Sequence, residues 1–248
     1  MRALDASTLL EIWERGREEP SLQRTLLLLA AGDPELDEPR LSSLPLGEQN
    51  DRLLKLRGRT FGPAMPSVVR CPECAQDLEF QLRTDALRTP ADFQSRSEAP
   101  ATLAVSWNGD LRVEFRLPNT GDLVAVAASE EGRDARTLLG RCLVEAVRAG
   151  ERVEVDELPE EVIVAVSEAM LEADPQAEVR IAIVCPDCAA EWESSLDVAA
   201  FFWREIEAWA PRALREVHVL ASAYGWSQEE ILSMSAVRRR MYLGLLGR

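Results

Sequence analysis

Val68-Val69-Arg70-Cys71-Pro72-Glu73-Cys74-Ala75-Gln76-Asp77-Leu78-Glu79 and Ala182-Ile183-Val184-Cys185-Pro186-Asp187-Cys188-Ala189-Ala190-Glu191-Trp192-Glu193 carry one pattern twice. Each enters on an apolar, strand-like run and turns through Cys-Pro-acid-Cys. After a short step, each leaves on a bulky apolar residue followed by Glu. A two-residue spacer lets one tight turn aim two sulfurs at a single metal, and zinc takes about four soft ligands in a tetrahedron. The two turns together supply Cys71, Cys74, Cys185 and Cys188, a complete all-thiolate shell. A closed shell leaves no position for water or substrate, so the expected cofactor is one structural zinc ion (Zn2+).

Two rivals use the same residues. A Cys-x-x-Cys pair also serves thiol redox chemistry, but neither pair sits in an evident thioredoxin-type βαβ unit. Thiolates alone do not exclude an iron–sulfur cluster. The long excursion between the pairs is energetically tolerable. A structural zinc contributes ~10–16 kcal/mol, whereas each doubling of a loop costs only about 0.6 kcal/mol. The segment between the pairs is thus expected to hang from a split zinc ribbon.

Working outward, the first 60 or so residues read as helical. Ser7 is a candidate cap for a helix to about Arg15, Ser21 for another to about Ala31, and a third covers Glu48 to Arg57. The Pro/Asp/Ser-rich connector from Gly32 to Pro45 is expected to be exposed. Strands should flank the first cysteine pair between Ser67 and Arg83, and a flexible stretch is expected from Thr89 to Pro100. Leu103, Val105 and Trp107 alternate before Asn108-Gly109, and Leu111, Val113, Phe115 and Leu117 alternate after it, which predicts a β-hairpin. From Asp122 to about Ala173 the periodicity predicts three helical pieces, with Cys142 inside one as a small buried apolar residue. Strand character returns at Val179 to Val184, and after the second cysteine pair the chain reads as helical to its end.

In that last region Asp197 is placed to cap a helix whose apolar residues continue past Pro211, where a bend or break into two helices is expected. Tyr224-Gly225-Trp226-Ser227 stops it. Ser227 with Glu230 forms a capping box for a short helix, and Ser235 is placed to cap the last. Phe201, Phe202, Trp203 and Trp209 suit core packing, yet so many large aromatics also suit a partner site. Arg238, Arg239 and Arg240 read as a solvated or docking face, with a DNA-binding patch of a zinc-ribbon regulator as the rival, and His218 between two valines reads as a packed or hydrogen-bonded residue.

Composition narrows the function. With 28 basic and 43 acidic residues the formal charge is -15, which repels phosphate backbones and disfavours nucleic acid as a partner. Apart from Lys55 the basic residues are arginines. No apolar run approaches the ~20 residues a membrane helix needs, and acidic residues interrupt any secretory signal, so a cytoplasmic protein is expected. Five cysteines in a reducing compartment are poor support for disulfides. Nucleotide-binding glycine loops, a GxSxG elbow and HExxH are absent, which leaves His218 as the sole imidazole base. A non-enzymatic protein without a small-molecule substrate is expected.

From Cys185 onward the chain resembles a known family. The matching residues are Cys185, Cys188 and Trp192; Asp197; Phe201, Trp203, Glu205 and Ile206; Glu216, Val217 and His218; Tyr224 to Ser227; Glu230, Ile231 and Leu232; and Arg238, Arg239, Tyr242 and Leu243. The family is the baseplate hub assembly chaperones of contractile-tailed phages and related contractile injection systems. Arg116-Leu117-Pro118 to Leu123 and Arg141-Cys142 also resemble its segments between the knuckles. Pro211 departs from it, because the family's helix continues there. The resemblance implies a cytoplasmic assembly role at the hub or spike of a baseplate, or retention in the assembled particle. With the C-terminal helices read as presenting aromatic and arginine groups to a baseplate protein, the candidate partner-binding residues are Phe201, Trp203, Trp209, His218, Tyr224, Trp226, Arg238, Arg239 and Tyr242.

The expected fold is α+β and mostly helical. It has an N-terminal helical region (1–66), a zinc-ribbon body with hairpin and helical insertion (67–196) and a C-terminal helical region (197–248).

Overall fold

The computed structural model describes residues 1–88, 102–129 and 134–246. Its fold is α+β, with small antiparallel sheets set among helices. The stretch expected to be flexible from Thr89 to Pro100 lies outside the described residues.

Four N-terminal helices come first: α1 (Ala6–Gly16), α2 (Ser21–Gly32), α3 (Glu38–Ser43) and α4 (Leu46–Phe61). Their starts differ from expectation. Asp5, not Ser7, caps α1 by accepting the Thr8 N–H at 2.8 Å. Pro20 occupies the cap position of α2, which puts Ser21 inside the first turn. The connector is not simply exposed. Asp37 caps α3, and that single turn carries Leu41 into complete burial. Leu41, with half-buried Leu36 and Leu44 beside it on the same core, thus anchors a stretch too short and polar for periodicity to reveal.

Leu28, Leu29, Leu53, Leu54 and Leu56 from α2 and α4 meet Phe202 and Ile206 from the long helix α8 (Val198–Tyr224) in one apolar core. Arg57 of α4 crosses to Glu205 of α8 with two hydrogen bonds, at 2.8 and 2.5 Å, and donates a third to the Gly62 carbonyl. Its guanidinium is almost wholly buried, so this pairing satisfies a charge that would be costly alone.

Two short hairpins carry the cysteine turns. β1 (Ala64–Arg70) pairs with β2 (Asp77–Arg83), and β7 (Val179–Val184) with β8 (Glu191–Leu196). The chain therefore makes one more strand after the second cysteine pair before turning helical. Between the hairpins, β3 (Leu103–Trp107), β4 (Leu111–Phe115), β5 (Leu143–Arg148) and β6 (Glu151–Arg152) form a second sheet in that order. Asn108 and Gly109 both take positive φ at the predicted hairpin turn.

The helices α5 (Thr120–Ala128), α6 (Ala135–Cys142) and α7 (Glu160–Ala173) complete this unit. Cys142 is the last residue of α6 and is buried, as its neighbours imply. Helical periodicity failed just beyond it. Leu143 to Arg148 is a strand, because β4 offers Val113 a partner in Ala146 and both side chains bury in the same core.

The N-terminal end of α4 joins this insertion to the helical core. Pro45 has no capping side chain, and the Asp174 carboxylate takes over by accepting the Gly47 N–H at 2.8 Å. Thr120 donates to Gln49 at 2.6 Å, the Asn50 amide donates to the Gln176 and Ala177 carbonyls, and the Leu46 N–H donates to the Pro118 carbonyl.

Pro211 does not break α8. The proline is exposed, and buried Ile206 and Ala210 before it and Ala213 and Leu220 after it hold both halves on one apolar face. That burial outweighs the roughly 3 kcal/mol that an interior proline costs. The predicted stops hold. Gly225 closes α8, the Ser227/Glu230 capping box opens α9 (Gln228–Ser233), and Ser235 accepts the Arg238 N–H at the start of α10 (Ala236–Leu246).

Candidate metal centre

The two cysteine turns have the same backbone. In the first, Cys71 N–H donates to the Gln76 carbonyl at 2.9 Å and Ala75 N–H to the Cys71 carbonyl at 3.0 Å. In the second, Cys185 N–H donates to Ala190 and Ala189 N–H to Cys185 at the same two distances. Ala75 and Ala189 occupy matching left-handed positions, φ 58° and 60°. A turn this tight forces the residue after the second cysteine into that region, usually reserved for glycine.

The hairpins meet across a small apolar seam in which Val69, Leu78 and Phe80 of one face Ile181, Ile183 and Trp192 of the other. This packing brings together turns more than a hundred residues apart. Cys71 Sγ lies 3.7 Å from Cys188 Sγ, and Cys74 Sγ 3.6 Å from Cys185 Sγ. The first cysteine of each turn thus neighbours the second of the other, as an approximate two-fold axis requires. All four sulfurs lie within 4.8 Å of one another. Cys71 and Cys185 are buried, Cys74 and Cys188 exposed.

These distances test the metal. Four sulfurs about 2.3 Å from a central zinc are separated by about 3.8 Å along each tetrahedral edge. The observed 3.6 and 3.7 Å fit that edge. They are too long for disulfides, which need about 2.05 Å. A cluster of several irons spreads its thiolates further apart than this group allows.

The electrostatics also favour a cation. The Cys74 backbone N–H leads in drawing the Cys71 thiol down to about 7, assisted by the Glu73 N–H. At Cys74 the Gln76 N–H pulls the same way, but burial and the thiols of Cys71, Cys185 and Cys188 push its pKa up to about 12. Thiols this close cannot all ionise by themselves. A bound divalent cation removes that conflict and supplies structural cross-linking.

A family model described as T4 bacteriophage base plate protein matches residues 28–203, well over half of the chain. The chain belongs to that base plate protein family. The match begins within α2, takes in both cysteine hairpins with everything between them, and ends in the first turns of α8. The sulfur centre therefore lies wholly inside the base plate family region, while α9 and α10 lie beyond it. Membership gives the protein a baseplate-associated role among other baseplate proteins. Neither curated proteins nor solved structures give a match. No described helix is long and apolar enough to cross a membrane.

The candidate partner-binding residues do not gather into one patch. Trp203 is 2% exposed, buried beneath the Arg24 guanidinium, and Phe202 is fully buried, so this part of the aromatic run belongs to the core. Phe201 is half-buried near Arg57 and Arg204, and Trp209 is half-buried against the cores around α1. His218 is exposed on α8 rather than packed. Tyr224, Trp226 and Tyr242 do come together, with Tyr224 stacked on Trp226 at 4.5 Å and Tyr242 edge-on to both.

The arginine triplet divides. Arg239 is 4% exposed, paired with Glu216 at 2.9 Å and donating to the Met234 carbonyl, while Arg238 and Arg240 face solvent. Arg239 therefore fixes α10 to α8 and leaves the accessible face.

Reading by residue type missed two polar groups. Asp122 accepts two hydrogen bonds from Arg116, at 2.6 and 2.8 Å, with Arg141 and the Cys142 thiol beside it. This knot draws together the Arg116-to-Leu123 and Arg141-Cys142 segments. The Asp174–Gly47 cap had no sequence signal at all, since its partners are 127 residues apart.

Proposed function

We propose that the protein is a non-enzymatic, zinc-binding assembly factor for the hub or spike of a baseplate, in a phage tail or a related contractile particle. One observation carries this reading: a closed set of four sulfurs with tetrahedral spacing lies inside a base plate protein match. On this reading zinc ties the two hairpins into a rigid frame from which the hairpin-and-helix insertion projects, and the metal has no vacant position for chemistry.

Two features weigh against the rival readings, thiol catalysis and nucleic-acid binding. The remaining thiol, Cys142, is pushed up to about 11, first by burial and then by the Asp122 charge, which makes it a poor nucleophile at neutral pH. The arginine triplet offers only two free guanidinium groups in a chain of charge -15, little for a nucleic-acid interface.

Metal analysis with thiol titration tests the site. The expected result is one zinc per chain, four thiols protected until chelation, and Cys142 reactive only on denaturation. Reactive native thiols without zinc would overturn the reading. Counting the chain in purified, sheathed particles then separates two roles. An assembly factor is present during assembly and absent from finished particles, whereas a fixed copy number in them identifies a retained baseplate component.

A further inference from the structure

The outward face of α10 is unusual for an otherwise acidic chain. Val237, Met241 and Leu245 recur at four-residue steps and are 56%, 67% and 58% exposed. Side chains at this spacing lie one above another, so the three form a continuous apolar stripe along the helix. The opposite side of the helix carries buried Arg239 and its ion pair to Glu216, which fixes the stripe toward solvent. Arg238 and Arg240 flank the stripe on either side, and α10 contains no acidic residue. Among the described residues neither arginine makes an ion pair, Arg240 donating only to the Ala236 carbonyl of its own helix.

We propose that α10 is a docking helix whose Val237/Met241/Leu245 stripe inserts into an apolar groove of another baseplate protein, with Asp or Glu side chains on the groove rim meeting Arg238 and Arg240. The inference rests on the baseplate role proposed above and names the chemistry of the partner. Three aligned apolar anchors with a charged border are how an amphipathic helix is read by a groove. Charge decides among occupants. A second copy laying its own α10 against this one would bring four arginines to a seam to which α10 adds no acid. An anionic lipid surface is extended and would meet the field of the whole chain, of charge -15, whereas acids on a groove rim would meet only Arg238 and Arg240 beside the stripe.

The test titrates the full-length, zinc-loaded chain against each baseplate protein encoded with it, produced singly, at low and high salt. At least one should bind. Met241→Ser with Leu245→Ser should weaken that binding at least about tenfold while zinc content and melting stay unchanged, as expected for side chains already exposed. Arg238→Glu with Arg240→Glu should slow association and reduce its salt dependence. A photo-crosslinker at position 241 should mark apolar residues bordered by acids.

Binding that none of these substitutions alters would overturn the α10 inference and leave the baseplate role standing. No binding by wild type to any of these proteins would bring down the proposed assembly-factor reading as well. Self-association, or binding to anionic vesicles, that Met241→Ser abolishes would assign the stripe to a second copy or to lipid and overturn the proposal.

Discussion

At the paired hairpins four sulfurs converge from two turns, whereas at the N-terminal end of α4 the same task of joining distant segments falls to ordinary hydrogen bonds. There the Asp174 carboxylate takes the Gly47 N–H, Thr120 meets Gln49, and Asn50 reaches two carbonyls. Both junctions link residues far apart in sequence. They differ in how many groups share the work. A metal site concentrates it in a few ligands of dictated type, so its loss is large and its motif conspicuous. A polar junction divides it among groups worth about 1 kcal/mol each, many of them backbone, so no residue type announces it.

The largest expected effect is therefore at the sulfurs. On the zinc reading proposed above, Cys188→Ser should drop bound zinc well below one per chain and lower the melting temperature by at least about 10 °C, since a structural zinc's contribution rivals the net stability of a domain. Chelation of the wild type should reproduce the shift. Acidification should release the metal as the thiolates reprotonate. A Cys188→Ser protein that melts like wild type would mean that apolar contacts such as Ile183 with Leu78 hold the hairpins together without help.

Next comes the polar knot of the insertion. Asp122 is 2% exposed, and although burial is the largest influence on its carboxyl, Arg116 and the Asn119 N–H together hold its pKa below the ordinary value. Asp122→Ala removes the α5 capping box and leaves Arg116 without its partner. Breaking a buried pair costs about 3–5 kcal/mol, and because Arg116 stays partly hydrated we expect about 2–4 kcal/mol by urea unfolding. The sign with pH follows from the lowered pKa: this stability is present above the unfolded value and is lost as pH falls through the folded one.

The same division explains what the sequence disclosed. Groups that gather around one metal must be cysteine or a few alternatives, so the convergence of the two Cys-Pro-acid-Cys turns was legible. So were Asn108-Gly109 and the Ser227/Glu230 box, where local backbone chemistry selects the residue. Leu143 to Arg148 was not, because a short apolar run supports helix or strand until a neighbour such as β4 decides. Trp203 and Arg239 were assigned to a partner face because interfaces favour those types, but an interior with a suitable contact accepts them equally. The Val237, Met241 and Leu245 stripe escaped for the converse reason. Periodicity shows that a helix has faces, and only the packing of Arg239 shows which one stays uncovered.

At the α4 junction a smaller change should be decisive. A methyl on Gly47 would sit 1.7 Å from Asp174 Oδ1 and 2.9 Å from the Ala177 nitrogen, so Gly47→Ala must open the junction. Loss of a cap together with a buried carboxylate left without its donor should cost about 2–4 kcal/mol. Zinc content should remain unchanged, which separates this junction from the sulfurs. Asp174→Asn probes the same contact gently, since the amide oxygen can still accept from Gly47.

Burial is the first cause raising the Asp174 pKa above 3.8, partly offset by the Gly47 N–H and reinforced by Glu48. A raised carboxyl favours folding below its unfolded value and loses that contribution as pH climbs through the folded one. The variant should therefore gain on wild type as pH rises from about 4 toward neutrality. A constant difference across that range would show that the carboxylate is fully relieved by its donor.

The smallest effect returns to the cysteine turns and asks whether the two are equivalent in energy as they are in shape. Ala75 and Ala189 are held at φ 58° and 60°, where an L side chain costs about 1–2 kcal/mol relative to the right-handed region. Glycine removes that strain but adds unfolded-state freedom worth about 0.5–1 kcal/mol. Ala75→Gly and Ala189→Gly should each therefore stabilise by up to about 1 kcal/mol, by equal amounts, and additively when combined. Matching gains would mean that each hairpin brings a preformed turn to the metal. A gain at one turn and a loss at the other would mean that only one turn is formed in advance and the second is shaped as it meets the first, so that the two-fold likeness of the finished centre hides an ordered assembly.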